Sequence, residues 1–237
     1  MTTFETIAPG VFTVASELPD PPFELMVDGA PSGFDIEWMQ LVAKELGLEW
    51  RYVPYAGGDF NGIFNGLANG LWDCVASGQT ITPGREKVAM FCDPYVESGQ
   101  SLVCNVEKTP QVRSVDDLSG LVLAVQHGNT SEPVADRLKA AGRVADVRVY
   151  AYDAIGTMLD DLAAGRIGAV MKLAPVMHWF VRTRPSLRVV QEGITDEKLG
   201  VAVKLGNEAL AGAINGAQAR LRGRAELDRL TTKWLKG

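Results

Sequence analysis

The 237-residue sequence has little that would mark it for metal, disulfide or nucleic-acid chemistry. It holds only three cysteines, Cys74, Cys92 and Cys104, an odd number that cannot all pair internally and that lacks a C-x-x-C spacing. His127 and His178 are the only histidines, which leaves a transition-metal site few candidate ligands. Basic side chains are outnumbered 23 to 29 by acidic ones, for a net charge of −6. Binders of nucleic acid or anionic membranes need a cationic field, so this balance argues against both. No run approaches the roughly 18 apolar residues of a membrane span. A G-x-x-x-x-G-K-[ST] phosphate loop is also missing. The start, Met1-Thr2-Thr3-Phe4-Glu5-Thr6, has neither the basic nor the apolar region of a signal peptide. Either the protein is cytoplasmic or the chain begins after a removed leader. What is present is an ordinary globular composition, 46% hydrophobic and 22% charged, long enough for one large domain or two small ones. No cofactor is expected.

Strand and helix signals alternate from the beginning, which points to parallel sheets covered by helices. Val11–Ala15 reads as a strand, followed by a loop with Pro19, Pro21 and Pro22. Met39, Val42, Ala43 and Leu46 repeat at helical spacing, and Gly47 is placed as the stop. Trp50–Val53 is a second strand, Ile63 to Ala68 a short helix ending at Gly70, and Asp73–Ala76 a third strand. Thr82-Pro83 then reads as a helix start, with Thr as N-cap and Pro in the first turn. The same order recurs: strand Leu121–Val125, a helix capped by Thr130 or Ser131, strand Val147–Tyr150, a helix capped by Asp153 and stopped at Gly165, and strand Ile167–Val170. Leu67-Ala68-Asn69-Gly70 even lies over Leu162-Ala163-Ala164-Gly165, which sets Lys172 opposite Ser77. One more strand, Leu199–Val203, and two helical patterns, Asn207 to Leu221 and Ala225 to Leu235, follow. The prediction is α/β: two doubly wound lobes, 1–99 plus 200–237 and 105–192, joined by a two-crossing hinge at 100–104 and 193–199. Such sheets bind ligands at the carboxyl ends of their strands, and two facing edges make a cleft.

Ser77-Gly78-Gln79-Thr80-Ile81-Thr82-Pro83-Gly84-Arg85 offers hydroxyls, freed amides, a helix start and a guanidinium within nine residues. That is the make-up of an anion or carboxylate cradle. The alternative is a plain helix start with Arg85 solvated in its first turn. Gln126-His127-Gly128-Asn129-Thr130-Ser131 aims amides and hydroxyls at a helix start in the second half. His127 reads as an exposed loop residue with no carboxylate placed to orient it, and His178, beside Trp179 and Phe180, as a packing residue.

Pro21-Pro22-Phe23-Glu24, Gly33-Phe34-Asp35-Ile36, Asp73 to Arg85, Phe91-Cys92-Asp93-Pro94-Tyr95, Gly128-Asn129-Thr130, Ala174-Pro175-Val176 and Trp234 together resemble the polar-amino-acid class of solute-binding proteins, family 3. The resemblance runs over nearly the whole chain. It implies the type II periplasmic-binding-protein fold and an extracytoplasmic, monomeric receptor without enzymatic activity. Such a receptor closes two lobes on a small carboxylate-bearing solute and delivers it to the membrane permease of an ABC importer. It further implies that Arg85 grips the ligand carboxylate with help from Ser77, Gly78 and Thr80, that Asn129 and Thr130 close over it, and that Phe60 is an aromatic wall. Glu17 and Asp20 lie on the loop that meets the ligand's far end, where two acids favour a cationic or donor group; solvation of either acid is the alternative.

One departure from the pattern matters. The family's usual Asp, which pairs with the ligand α-ammonium at the end of the third strand of the second lobe, is Leu173 here, with Lys172 beside it. Burying an ammonium without a counter-charge costs several kcal/mol. An ordinary α-amino acid in the usual pose is therefore disfavoured, unless strand alternation turns Lys172 into solvent. Two other readings stay open. One is an enzyme like the cyclohexadienyl dehydratases, with Glu17 and Lys172 as candidate acids; the other is the sensing domain of a larger receptor. Cys92 and Cys104 pair only if the fold brings them within disulfide reach.

Overall fold

A computed structural model describes residues 4–236. Its first elements are β1 (Val11–Glu17), β2 (Leu25–Val27), β3 (Ala30–Ser32), α1 (Phe34–Leu46), β4 (Glu49–Tyr55), α2 (Ile63–Ala68), β5 (Cys74–Val75), β6 (Ala89–Phe91) and β7 (Val96–Ser98). They continue with β8 (Gln100–Asn105), β9 (Val122–Gln126), α3 (Ser131–Ala140), β10 (Asp146–Tyr150), α4 (Ile155–Ala163), β11 (Ala169–Leu173), α5 (Ala174–Val181) and β12 (Leu187–Gln191). Next come β13 (Glu197–Leu199), β14 (Ala202–Lys204), α6 (Glu208–Gly223) and α7 (Glu226–Trp234). The chain divides into two compact units, Met1–Ala56 with Gly62–Glu97 and Lys198–Gly237, and Gly57–Asn61 with Ser98–Glu197.

Each unit is built on a five-stranded sheet, ordered β4-β1-β5-β14-β6 in the first and β10-β9-β11-β8-β12 in the second. The sheets are mixed rather than parallel throughout. β4, β1 and β5 run parallel while β14 is antiparallel to β5 and β6; likewise β10, β9 and β11 run parallel while β8 is antiparallel to β11 and β12. Residues 100–104, predicted as a crossing, are instead part of β8, buried along its whole length because it fills the sheet between β11 and β12. The boundaries at 97/98 and 197/198 fall within β7 and β13, which pair as a separate two-stranded sheet. The single strand predicted over Leu199–Val203 is split, since Gly200 and Val201 turn their backbone to Gln79 and Cys92 between β13 and β14.

In the first unit β1 is buried on both faces, as a central parallel strand must be. Helix α1, which packs on β4 and α6, buries Phe34, Ile36, Trp38, Met39 and Val42. Trp38 donates from Nε1 to Gln218 Oε1 at 3.0 Å, which ties α1 to α6 without leaving either polar group unsatisfied. In the second unit Leu102, Leu123, Val125, Ala169 and Met171 from the sheet pack with Ala135 of α3.

The start of α1 sets the position of the loop before β2. Its first amides, which have no partner within the helix, donate from Phe34 to the Pro22 carbonyl at 2.9 Å and from Asp35 to the Phe23 carbonyl at 3.0 Å. This approach requires glycine at 33: φ is +127°, and a β-carbon there would lie 2.2 Å from the Phe23 oxygen. We expect Gly33→Ala to lower the unfolding free energy by on the order of 3 kcal/mol in urea denaturation. A change within about 0.5 kcal/mol, the range of an ordinary surface substitution, would contradict the constraint.

Candidate functional site

In the first unit β1 and β5 run side by side and parallel, so their carboxyl ends open on one edge. Glu17 ends β1 and the segment 77–85 leaves β5. The donors predicted for a ligand are partly committed within the protein. Ser77 Oγ donates to Glu24 Oε1 and accepts the Glu17 amide at 3.0 Å. The Gly78 amide donates to Asp35 Oδ2 at 2.6 Å, and the Tyr95 hydroxyl donates to the same oxygen at 2.8 Å. Ser77 and Gly78 thus shape the loop with the very groups that were expected to face a carboxylate. Gln79 fixes its far side, donating from Nε2 to the carbonyls of Val75 and Gly200 at 2.7 and 2.8 Å.

Arg85 is not a solvated first-turn residue. It is only 7% exposed, donates from Nη1 to the Thr80 carbonyl at 3.0 Å, and sets its guanidinium 5.6 Å from the centre of the Phe64 ring. Thr82 Oγ1 accepts the Arg85 amide at 3.2 Å, as a cap would. The predicted helix nevertheless shrinks to one 3-10 turn, Arg85–Lys87, because the chain enters β6 at Ala89 to pair with β14. The solvated alternative for Glu17 and Asp20 also fails: both are buried, Glu17 at 2% exposure. Glu24 and Asp35 are buried with them in the same unit. Burial pushes the Asp35 carboxyl up to about 7, against the lowering effect of the Gly78 and Tyr95 hydrogen bonds and with a further push from the Asp20 charge. Burial likewise raises the Tyr52 phenol, aided by the charges of Glu24 and Glu17.

In the second unit Phe60, in the 57–61 segment, packs 5.1 Å from the Tyr152 ring. Lys172 Nζ lies 4.8 Å from the centre of the same Tyr152 ring, a cation–π distance. At 3% exposure Lys172 does not turn into solvent, so that alternative is excluded. Leu173, also buried, sits opposite Gln100 in the β11–β8 register. Thr130 occupies the N-cap position of α3 but does not cap it. Its Oγ1 donates to Glu197 Oε2 at 2.8 Å and accepts from Gln100 Nε2 at 3.0 Å. Ser131 does not cap either, and its Oγ is buried with no hydrogen-bond partner, as is Asn129 Nδ2. Asp153 makes no cap, because a 3-10 turn over Tyr152–Ala154 precedes α4 and puts Ala154 at its N-cap.

His127 is an exposed loop residue as expected, but the expected lack of a carboxylate beside it fails, and His178 departs from expectation. Exposed His127 has carboxylates beside it, Glu132 at 3.4 Å from Nδ1 and Asp59 at 3.9 Å from Nε2. His178 is on the surface, 2.9 Å from Glu192, rather than packed. All three cysteines are free thiols. Among the described residues no cluster of His, Cys, Asp and Glu could hold a metal ion, and no helix is long and apolar enough to cross a membrane.

Gln100, Tyr152 and Glu197 had not been singled out in the sequence, and neither Glu24 nor Asp35 had been assigned a role. Glu24 and Asp35 lay within motifs already noted, Pro21-Pro22-Phe23-Glu24 and Gly33-Phe34-Asp35. Glu197 had no local signal, since Gln100 and Thr130 lie 97 and 67 residues away.

Comparison with known proteins is consistent with this architecture. Residues 12–237 match the family of bacterial extracellular solute-binding proteins, family 3, and the chain belongs to that family. It is 27% identical over 220 residues to the ABC transporter arginine-binding protein 1 of Escherichia coli K12, covering 90% of this chain and 86% of that one. It is 32% identical over 228 residues to the L-cystine-binding protein TcyJ of the same strain, covering 95% and 82%. Among solved structures, an ancestral arginine-binding protein bound to arginine superposes with a TM-score of 0.86 at 32% identity, covering 95% of this chain and 98% of that chain. The ancestral amino acid-binding protein AncCDT-1, a precursor of cyclohexadienyl dehydratase, superposes with a TM-score of 0.84 at 29% identity, covering 95% of each. The two-lobe α/β fold is that of these binding proteins.

Asp35 makes stability depend on pH. Its folded-state value of about 7 lies above its ordinary 3.8, so the folded protein holds this proton more tightly than the unfolded chain. The stability so gained is complete below about pH 4 and is lost as pH rises through about 7. We expect urea denaturation of Asp35→Asn to show the variant gaining on the wild type from pH 4.5 to about 7 and holding a constant difference above that. A pH-independent difference would contradict the assignment.

Proposed function

We propose that this chain is the extracytoplasmic, monomeric receptor of an ABC importer. It binds a small carboxylate-bearing, amino-acid-like solute reversibly and does no chemistry on it. The solute's carboxylate is held by Arg85 and Thr80, and Asn129 and Thr130 of the second unit take part. Phe60 supplies an aromatic face, and Glu17 and Asp20 favour a cationic or donor group at the solute's far end. Lys172 and Leu173 make the usual ammonium contact at position 173 unavailable, so the solute does not place an ammonium there.

The observation that carries this reading is Arg85. A buried guanidinium set by the Thr80 carbonyl at the carboxyl edge of the first sheet is a planar fork suited to two carboxylate oxygens. The relatives that bind arginine and cystine support the solute's class. The AncCDT-1 likeness keeps one comparison worth making, because that protein is a precursor of a dehydratase. Incubation with prephenate or arogenate should yield no aromatic product, and turnover would overturn the pure-receptor reading.

A thermal-shift screen of amino acids, betaines, guanidino acids and dicarboxylic acids tests the rest. A true ligand at about 100 times its Kd adds about 2.7 kcal/mol, or a Tm rise of about 5–10 °C for a chain of this size. Arg85→Ala should abolish that rise for the best ligand. An undiminished rise in the variant would remove Arg85 from the site.

A further inference from the structure

Both hydrogen-bond donors to the Asp35 carboxyl fall on one oxygen. Oδ2 accepts the Gly78 amide at 2.6 Å and the Tyr95 hydroxyl at 2.8 Å. These donors belong to two stretches of chain that meet again elsewhere. Tyr95, directly before β7, donates its amide to the carbonyl of Leu199 at 2.9 Å, and Leu199 ends β13, the partner of β7. The chain after Gly78 reaches the same place. Thr80 bridges Leu199, the Ile81 amide donates to the Lys198 carbonyl at 2.8 Å, and the Gly200 amide donates to the Gln79 carbonyl at 3.2 Å. Asp35 thus closes a ring that runs through the loop carrying Arg85 and through the root of the β7–β13 pair, with every one of these residues in the first unit.

The fit around the carboxyl is close. The Asp35 amide donates to the Phe23 carbonyl at 3.0 Å, a β-carbon at Gly78 would stand 2.8 Å from the Phe23 ring, and the Tyr95 ring stacks on Phe34 at 5.9 Å. Asp35 is fully buried, and its Oδ1 has no hydrogen-bond partner. An ionised carboxylate shares its charge between both oxygens, so a dry oxygen without a donor is costly; a proton on Oδ1 removes that charge. Loss of the proton acts the other way at Oδ2, because hydrogen bonds to an ionised acceptor are about twice as strong as neutral ones.

The groups that face Asp35 are the Asp20 carboxyl, whose charge opposes its ionisation, and the Tyr95 phenol, which in turn faces the Glu24 carboxyl and the Cys74 thiol. Burial holds the Tyr95 phenol and the Cys74 thiol well above their ordinary values. Both keep their protons near neutrality, and Tyr95 stays a donor.

We propose that Asp35 is a positioning residue of the solute site: it clamps the Arg85 loop to the root of the β7–β13 pair, and losing its proton tightens the clamp and shifts the Arg85 guanidinium. That Arg85 then meets a solute carboxylate rests on the function proposed above, whereas the clamp is a property of the ligand-free protein.

Proton–nitrogen correlation NMR of the ligand-free full chain, from about pH 5 to about pH 9, reads the clamp directly. The Gly78 amide proton should move downfield as pH rises, with a midpoint at about 7, and the Arg85 Nε–H signal should shift with the same midpoint. Both inflections should vanish in Asp35→Asn, which keeps an oxygen for the two donors but cannot ionise. In Tyr95→Phe the loss of a donor that favours the ionised carboxyl should move both midpoints up together, a readout that stands even if Asp35→Asn does not fold. A Gly78 inflection that Arg85 does not follow would reduce Asp35 to a local structural role and overturn the proposal. Inflections that survive in Asp35→Asn, and so arise from Asp20, Glu24 or a histidine, would overturn it too, as would the absence of any inflection in the wild type. None of these results decides whether Arg85 holds a carboxylate, which fails separately if Arg85→Ala leaves ligand binding unchanged.

Discussion

The constraint on which the first unit depends is the burial of carboxylates at the carboxyl edge of its sheet. A buried carboxylate is tolerated only when hydrogen bonds hold it or a proton neutralises it. Asp73, at the opposite, amino end of β5, meets the same need by accepting the Ile7 and Thr13 amides, both at 2.7 Å, which pins the chain before β1 to the start of that strand. Asp35 meets it through Gly78 and Tyr95, and Glu24 through Ser77. The Asp35 and Glu24 solutions each tie a distant stretch of chain to the loop leaving β5. That loop is therefore set in shape before any ligand arrives, which lowers the ordering cost of binding. Arg85 gains its orientation from the same loop through the Thr80 carbonyl.

The second unit solves a different problem with the same means. Its polar groups gather at the ends of β9 and β11 and at the start of β8, where Gln100, Thr130, Thr195 and Glu197 hydrogen-bond to one another. Lys172 is buried against the Tyr152 ring, which also packs on Phe60. Leu173 and Lys172 at the end of β11 set an apolar side chain and a buried cation there, and Leu173 stands opposite Gln100 in the β11–β8 pair.

Much of the fold was legible because it is written in local patterns. The helical spacing of Met39, Val42 and Ala43 and the left-handed Gly47 after it mark α1 without any knowledge of its partners. The order of strands and helices in both halves followed from the same signals. What could not be read depends on partners far along the chain. Thr82-Pro83 has every mark of a helix start, but pairing of β6 with β14 ends it after one turn. Thr130 has the side chain of an N-cap, but Glu197, 67 residues on, takes its hydroxyl. Ser77 and Gly78 were legible as members of the loop; that Glu24 and Asp35 occupy their donors was not, since those acids lie 53 and 43 residues earlier. The buried state of Glu17, Asp20 and Lys172 is likewise a property of the packed sheet ends, not of their neighbours in sequence.

The central claim is that Arg85 receives the carboxylate of a small solute. The most direct measurement is a crystal structure of the protein with the strongest ligand from solution screening. The account predicts a ligand carboxylate oxygen within hydrogen-bond distance of the Arg85 guanidinium. A ligand whose carboxylate lies elsewhere, with Arg85 making no contact to it, would contradict the account.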